Sequence, residues 1–318
     1  MIDKCGRKIN YLRISVTDLC NLRCAYCMPA DGVRKREHRD ILRLEEIVNI
    51  VKVGVQLGID KVRITGGEPL VRNGIVQLVE NLAQIKGLKD LSMTTNGILL
   101  NKYALELKKA GLDRVNISLD SLDRAKYKKM TRCGELDDVL EGIRIAGEAG
   151  LSPVKVNVVL IGGYNDDEIE DFVNLTLKSD IEVRFIELMP LGEAKSWPMG
   201  SFISKETVLN KVPGLIPLPF KGHGTVARMY KLPNGKGKVG LISPVSSHFC
   251  NYCNRIRITP DGKLKPCLHS DQEIDLKNAH PDEIKRLLYE GIKSKPNKHQ
   301  LDTQHVSIVK RNMNEIGG

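Results

Sequence analysis

The 318-residue chain is 41% hydrophobic and 28% charged, which excludes a disordered polypeptide and allows one large α/β unit with a smaller appendage. No apolar run is long enough to cross a bilayer and no apolar stretch follows the charges of the first residues, so a cytoplasmic protein without a membrane partner is expected. The net charge of +10 suits an anionic partner, but aromatics make up only 4% and do not interleave with the basic residues, which favours a small anionic substrate over nucleic acid.

From residue 11 to about 190, β-branched runs alternate with amphipathic stretches. Strands are predicted over Tyr11 to Val16, Lys61 to Thr65, Asp90 to Thr94, Arg114 to Leu119, Val154 to Ile161 and Glu182 to Met189. Helices are predicted near 43–57, 73–86, 99–110, 135–149 and 166–178, four of them closed by Gly58, Gly87, Gly111 and Gly150. Such alternation implies a parallel sheet. Each strand runs into a polar or glycine-rich segment: Thr17-Asp18, Gly66-Gly67-Glu68-Pro69, Thr94-Thr95-Asn96-Gly97, Ser118-Leu119-Asp120, Gly162-Gly163 and Glu187-Leu188-Met189-Pro190. Chemistry in parallel α/β folds gathers beyond the C-terminal strand ends, and this convergence favours an incomplete (β/α)6 TIM-like barrel over an open doubly wound sheet. Four predicted strands carry a cation, Arg13, Arg63, Lys155 or Arg184, where a barrel is ordinarily filled by Val, Ile and Leu. An outward, carboxylate-paired placement would explain any one of them, whereas four together point to a basic lumen that receives an anion. Beyond residue 190 the pattern becomes irregular and rich in glycine. We place the division at residues 1–220 and 221–318.

The eight cysteines are hard to read as disulfides in a reducing compartment. Cys5 and Cys133 stand alone, while Cys20, Cys24 and Cys27 form one set and Cys250, Cys253 and Cys267 another. Three thiolates on a short loop can hold three irons of a 4Fe-4S cube and leave the fourth iron open, with zinc or a structural cluster as the alternative. In the second set, Asp261-Gly262 predicts a two-residue hairpin turn that folds Cys267 opposite roughly residue 256 and towards Cys253. Zinc is again an alternative, with His248 or His269 as fourth ligand. Arg255, Arg257 and Thr259 alternate onto one strand face beside this metal, which suits phosphate or purine recognition.

The segment Asp18-Leu-Cys-Asn-Leu-Arg-Cys-Ala-Tyr-Cys-Met-Pro29, followed by Gly66-Gly-Glu-Pro69, resembles the radical S-adenosylmethionine (SAM) superfamily over about residues 11 to 190. The resemblance implies a cluster on Cys20, Cys24 and Cys27 that reductively cleaves SAM to a 5'-deoxyadenosyl radical. It also implies SAM contacts at Tyr26, Gly66, Gly67, Glu68, Ser118 and Met189. Ser243-Pro-Val-Ser-Ser-His-Phe-Cys250, the Cys-Asn-Arg-Ile-Arg run after it and the terminal Gly317-Gly318 resemble the GTP 3',8-cyclase family of molybdenum cofactor biosynthesis. That implies a lyase whose radical removes the 3' hydrogen of GTP to give 3',8-cyclo-7,8-dihydro-GTP. It further implies a second 4Fe-4S cluster on Cys250, Cys253 and Cys267, with catalytic roles for Arg255 and Arg257. GTP contacts are expected at Arg13, Arg63, Thr94, Lys155, Arg255, Ile256 and Arg257, with Arg184 as a further triphosphate candidate. The tail of Gly317 and Gly318 is expected to enter the active site. Implied partners are an electron donor such as flavodoxin or ferredoxin and cyclic pyranopterin monophosphate synthase downstream; a homodimer is compatible with the sequence. Leu19 and Cys133 stand where these families usually have arginine. Two rival readings are a peptide-modifying radical SAM enzyme with an auxiliary cluster and a zinc-containing nucleic-acid binder.

Overall fold

The computed structural model describes residues 1–33, 36–220, 222, 224–299, 301 and 307–317. Six strands alternating with helices come first: β1 Tyr11–Ser15, α1 Leu44–Gln56, β2 Lys61–Thr65, α2 Ile75–Ala83, β3 Asp90–Thr95, α3 Leu100–Lys109, β4 Arg114–Ser118, α4 Arg124–Thr131, α5 Leu136–Glu148, β5 Lys155–Leu160, α6 Ile169–Lys178 and β6 Glu182–Glu187. After these come α7 Lys205–Lys211, β7 Ile216–Pro217, β8 Arg228–Lys231, β9 Lys238–Ile242, β10 Arg255–Ile258, β11 Lys263–Lys265, β12 Ile274–Asp275, α8 Pro281–Lys293 and α9 Met313–Ile316.

One sheet holds all twelve strands in the order β12-β11-β10-β1-β2-β3-β4-β5-β6-β9-β8-β7. The six expected strands lie in sequence order and pair in parallel. The C-terminal region adds β10 beside β1 and β9 beside β6, both parallel, so the wall extends by one strand at each edge. The two ends of the strand order do not pair among the described residues, and the barrel is incomplete.

The strands are amphipathic in an unusual sense. Leu12, Ile14, Val62, Ile64, Leu91, Met93, Val115, Ile117, Val156, Val158, Val183 and Phe185 are buried in the main apolar core with residues of the surrounding helices. A fully buried side chain of this kind contributes about 1.5–3 kcal/mol. The intervening positions, among them Arg13, Arg63, Thr94, Asn116, Asn157 and Arg184, line a cavity. Alternation along each strand therefore separates an apolar outer layer from a polar lumen.

All four glycines expected to end helices have left-handed backbone: Gly58, Gly87, Gly111 and Gly150 have φ between 77° and 100°. Helix α4 was not predicted, because its sequence Arg-Ala-Lys-Tyr-Lys-Lys-Met-Thr buries only Tyr127, Met130 and Thr131 and shows no sustained apolar stripe. The hairpin also differs from expectation. Arg257 pairs with Lys265 and Ile258 with Leu264, and Thr259 N–H donates to the Lys263 carbonyl at 2.9 Å. Pro260-Asp261-Gly262 is therefore a three-residue loop with Gly262 left-handed (φ 82°), which shifts the expected register by one residue. No described helix is long and apolar enough to cross a membrane.

Candidate functional site

Cys20, Cys24 and Cys27 lie on the loop that leaves the C-terminal end of β1. Two backbone bonds fix its stem to the glycine pair: Gly67 N–H donates to the Thr17 carbonyl (2.7 Å) and Glu68 N–H to that of Leu19 (2.8 Å). Gly67 must be glycine for space, since a Cβ there would stand 2.7 Å from the Asp18 carbonyl oxygen. Leu22 N–H donates to Cys20 Sγ at 3.3 Å, and Asn96 Nδ2 approaches the same sulfur at 3.8 Å. Burial, then the charge of Glu68, pushes the Cys20 thiol up to about 12; burial, then Cys20, does the same to Cys27, and Cys24 is also raised by burial. Thiols so placed keep their protons until a cation takes them, so the donor set fits a metal cluster.

Glu68 does not line the cavity. Its buried carboxylate accepts from Leu70 N–H (3.0 Å), Thr95 Oγ1 (2.7 Å) and Asn96 N–H (2.7 Å), tying the end of β3 to the glycine loop. Burial raises its pKa to about 7 against those three donors. Tyr26 donates to Asp120 Oδ2 at 2.8 Å, and Asp120 Oδ1 accepts from Val159 N–H at 2.8 Å. Tyr26, Gly66, Gly67, Ser118 and Met189 all line the cavity.

The cavity measures about 310 Å³ and also contains Arg13, Arg63, Arg184, Arg255 and Arg257. Strand register sets Arg257, Arg13 and Arg63 side by side on β10, β1 and β2. Tyr11 lies between two more guanidinium contacts, with Arg63 and Arg255 each 5.5 Å from its ring centre. Among the described residues no carboxylate pairs with Arg63, Arg255 or Arg257. Burial is the main reason that Arg63 and Arg257 fall to about 10. Adjacent like charges are unfavourable without an anion between them. Across the lumen, Arg184 and Lys155 both pair with Glu182. Lys155 is outside the cavity lining, and burial followed by the charge of Arg184 depresses it to about 8. Ile256 is 1% exposed and belongs to the apolar core.

Cys250 and Cys253 precede β10, and Cys267 follows the antiparallel β11, so the second triad sits at the N-terminal end of the β10–β1 pair. The first triad follows the C-terminal end of β1. The two sets thus occupy opposite mouths of one lumen, and all six cysteines line the same cavity. Convergence on C-terminal strand ends accounts only for the first.

Two buried cations absent from the sequence reading organise the second mouth. Lys295 donates to the carbonyls of Arg255 (2.8 Å) and Pro266 (2.7 Å), and Arg7 donates to those of Cys250 (2.9 Å), Pro296 (2.8 Å) and Asn297 (3.1 Å). Burial alone would raise the Cys253 thiol, but Lys295 and Arg255 more than offset it and bring the pKa down. His248 and His269 stand 4.3 and 4.6 Å, ring centre to ring centre, from His299. His248, Cys250 and His299 also bring donor atoms within 4.8 Å of one another. The sequence signals for these partners were weak: an N-terminal Gly-Arg and a Lys-Pro near the far end.

Asn314 and Met313 of the C-terminal segment enter the cavity lining. Gly317 has φ 77°, and its carbonyl accepts from Arg257 Nη1 at 2.6 Å. Gly318 lies outside the described residues. Cys5 and Cys133 are exposed; Cys133 Sγ lies 3.4 Å from the Asn21 carbonyl, beside the first cysteine loop, and Leu19 lies on the stem of that loop.

Comparison with known proteins agrees with this geometry. Residues 14–176 match the Radical SAM superfamily, and residues 181–301 match Molybdenum Cofactor Synthesis C. The chain is 58% identical to GTP 3',8-cyclase of Alkaliphilus oremlandii and 49% identical to that of Petrotoga mobilis, in each case over the full length of both chains. Among solved structures it is similar to Streptococcus suis SuiB bound to precursor peptide SuiA (TM-score 0.65, 15% identity, 91% of this chain and 67% of that one). It is also similar to anSMEcpe with bound AdoMet (TM-score 0.58, 15% identity, 92% of this chain and 79% of that one). These two likenesses concern the fold alone. The chain belongs to the radical SAM superfamily and, within it, to the GTP 3',8-cyclase family.

Proposed function

We propose that this protein is a lyase that cyclises GTP to 3',8-cyclo-7,8-dihydro-GTP, the first step of molybdenum cofactor biosynthesis. The observation that carries the reading is the single lumen, with a cysteine triad at each mouth and Arg257, Arg13 and Arg63 in register between them. Cys20, Cys24 and Cys27 would hold a 4Fe-4S cluster, which when bound supplies the electron that releases a 5'-deoxyadenosyl radical from SAM. Gly66 and Gly67 leave backbone open to the methionine end of SAM, and Glu68 holds that loop in place. Tyr26, Ser118 and Met189 complete the SAM wall. The arginines, with Thr94, bind and orient the triphosphate so that the 3' hydrogen faces the first mouth. Lys155 acts from behind Arg184 by sharing Glu182, and Ile256 holds the backbone between Arg255 and Arg257. Gly317 backs the wall from the tail by accepting from Arg257, and Gly318, also expected in the active site, lies outside the described residues.

We further assign Cys250, Cys253 and Cys267 to a second 4Fe-4S cluster that takes the guanine. The cations Lys295, Arg7 and Arg255 beside that triad support an anionic centre there. Zinc on His248, Cys250 and His299 is the second reading, since those donors already converge. Residues 1–220 would then carry the SAM site, and 221–318 the guanine site and tail. An electron donor of the flavodoxin or ferredoxin kind and a downstream cyclic pyranopterin monophosphate synthase complete the assignment, for a cytoplasmic protein compatible with a homodimer. Anaerobic reconstitution should yield about eight irons per chain. Four irons with one zinc would overturn the second cluster, and absence of cyclised nucleotide from the eight-iron protein would overturn the reaction.

A further inference from the structure

The C-terminal segment reaches deep into the lumen with little structure of its own. Helix α9 is a single turn of four residues, Met313–Ile316, too short to persist unaided. Chain termini fray unless something ties them down. Here Asn314 Nδ2 donates to the Asp18 carbonyl at 3.0 Å, on the stem of the first cysteine loop, and Arg257 holds the Gly317 carbonyl. One short segment thus touches the loop of the first cysteine triad and the arginine row in the lumen.

Outside the lumen an ion network grips the same segment. Arg311, just before α9, reaches Asp261 with two donors (3.1 and 2.9 Å) and Glu273 with two more (both 2.7 Å). Arg36 reaches Asp18 at 3.0 Å, Glu315 at 3.2 Å and Asp261 at 3.5 Å. The Arg311 and Asp261 side chains are only 17% and 13% exposed, so their attraction is less screened than that of a surface pair. Bidentate pairing also fixes direction as well as distance. Asp261 is the common partner of both arginines and sits in the loop between β10 and β11.

We propose that Arg311 and Arg36 are positioning residues that latch the C-terminal segment into the lumen, with Asp261 of the β10–β11 loop as their shared anchor. Neither arginine lines the cavity. Each acts through α9: Arg311 fixes where the segment enters, and the Arg36–Glu315 pair fixes its rotation against the first cysteine loop. The latch joins the SAM side, through Asp18, to the strand that carries Arg255 and Arg257. The consequence for catalysis rests on the proposed reaction, whereas the tethering itself does not.

The test compares reconstituted full-length protein with its Arg311→Gln and Arg311→Lys variants. Hydrogen exchange at residues 313–317 should be at least about tenfold faster in Arg311→Gln and intermediate in Arg311→Lys, with iron content unchanged. Raising the salt concentration should accelerate that exchange only slightly in the parent protein, because the Arg311–Asp261 pair is largely shielded from solvent. The ratio of 5'-deoxyadenosine to cyclised product should rise several-fold in Arg311→Gln. Should Arg311→Gln lose iron or fail to fold, Glu315→Gln, which removes only one charge of the Arg36 arm, must show the same faster exchange. Unchanged exchange in a folded variant would overturn the latch, and faster exchange with an unchanged product ratio would overturn its positioning role. Parent protein that forms no cyclised product would refute the reaction instead, and the exchange rates would still decide the tethering.

Discussion

Gly67→Ala should cripple SAM cleavage while leaving the rest of the fold intact. The new methyl would stand 2.7 Å from the Asp18 carbonyl oxygen and closer still to that of Leu19, whereas ordinary contact begins at 3.4 Å. Both obstacles are backbone atoms and cannot rotate away. The loop must open by about 1.1 Å at the Leu19 carbonyl oxygen (2.3 Å against 3.4 Å), which disrupts the bonds from Gly67 to Thr17 and from Glu68 to Leu19 that hold the stem of the Cys20 loop. Displacement of reacting groups by about 1 Å costs on the order of a hundredfold in rate, and that is the loss expected here. Gly147→Ala is the control: nothing lies within 4 Å of its added methyl, and it sits inside α5, where alanine is favoured over glycine by roughly 1 kcal/mol. The assay measures 5'-deoxyadenosine formed per cluster under anaerobic reduction, with iron counted in the same samples. A Gly67→Ala protein with full iron and a rate within about threefold of the parent would refute the claim that this loop is sterically fixed.

Arg184→Ala should weaken GTP binding by roughly tenfold to a hundredfold, the worth of one charge-assisted contact, and titration calorimetry at two salt concentrations would register a flatter salt dependence than in the parent. Lys155→Ala should have the smaller effect, because Lys155 reaches the site only through Glu182. Cys267→Ser should retain slow SAM cleavage and lose cyclisation; normal cyclisation would contradict the guanine-binding role of the second triad. Tyr26→Phe should destabilise the metal-free protein more at pH 8 than at pH 5. Burial raises Asp120 to about 6, with the Val159 N–H and Tyr26 hydroxyl holding it down. A carboxyl raised on folding contributes stability at low pH that is lost as pH rises through its folded pKa, so losing the tyrosine donor extends that loss upward. The deficit at pH 8 should be about 2 kcal/mol, the worth of a bond to a charged group, and an equal deficit at both pH values in urea melts would contradict the assignment.

The six central strands and four of the terminating glycines were legible because both signals are local: β-branched runs repeat along the chain, and left-handed backbone selects glycine. The basic lumen was legible for a related reason. A cation set among the apolar residues of a strand is visible in one dimension, and the sheet merely sets Arg13, Arg63 and Arg257 in register. What was hidden depended on contacts distant in sequence. Arg7 meets Cys250 across 243 positions, and Asn314 meets Asp18 across 296. Beyond the weak Lys-Pro signal, nothing near Lys295 in sequence distinguishes it from the exposed Lys285 and Lys298, yet it is 5% exposed. The hairpin register missed by one residue because Asp-Gly is compatible with both two- and three-residue loops, and Pro260 favours the longer.

The parallel pairing of β1 with β10 determines how far apart the two mouths lie. The first triad leaves the C-terminal end of β1 and the second precedes β10, so the length of the strand pair separates them. Five residues of β1 at about 3.3 Å each give roughly 16 Å. Neither end can reach the other through side chains alone. On the proposed reaction, a substrate held at the second mouth and attacked from the first is extended along the strands, and Arg257, Arg13 and Arg63 form one row across that path near the middle of β1. The C-terminal segment enters from the first mouth and meets Arg257 partway. Its Gly317 backbone passes where an added Cβ would lie 2.9 Å from Ser15 Cβ, so it occupies space between the strand wall and the path. On the proposed reaction, an elongated anion shares the lumen with a tail held against the wall, and the position of that tail then helps to determine which substrate atom faces the first mouth.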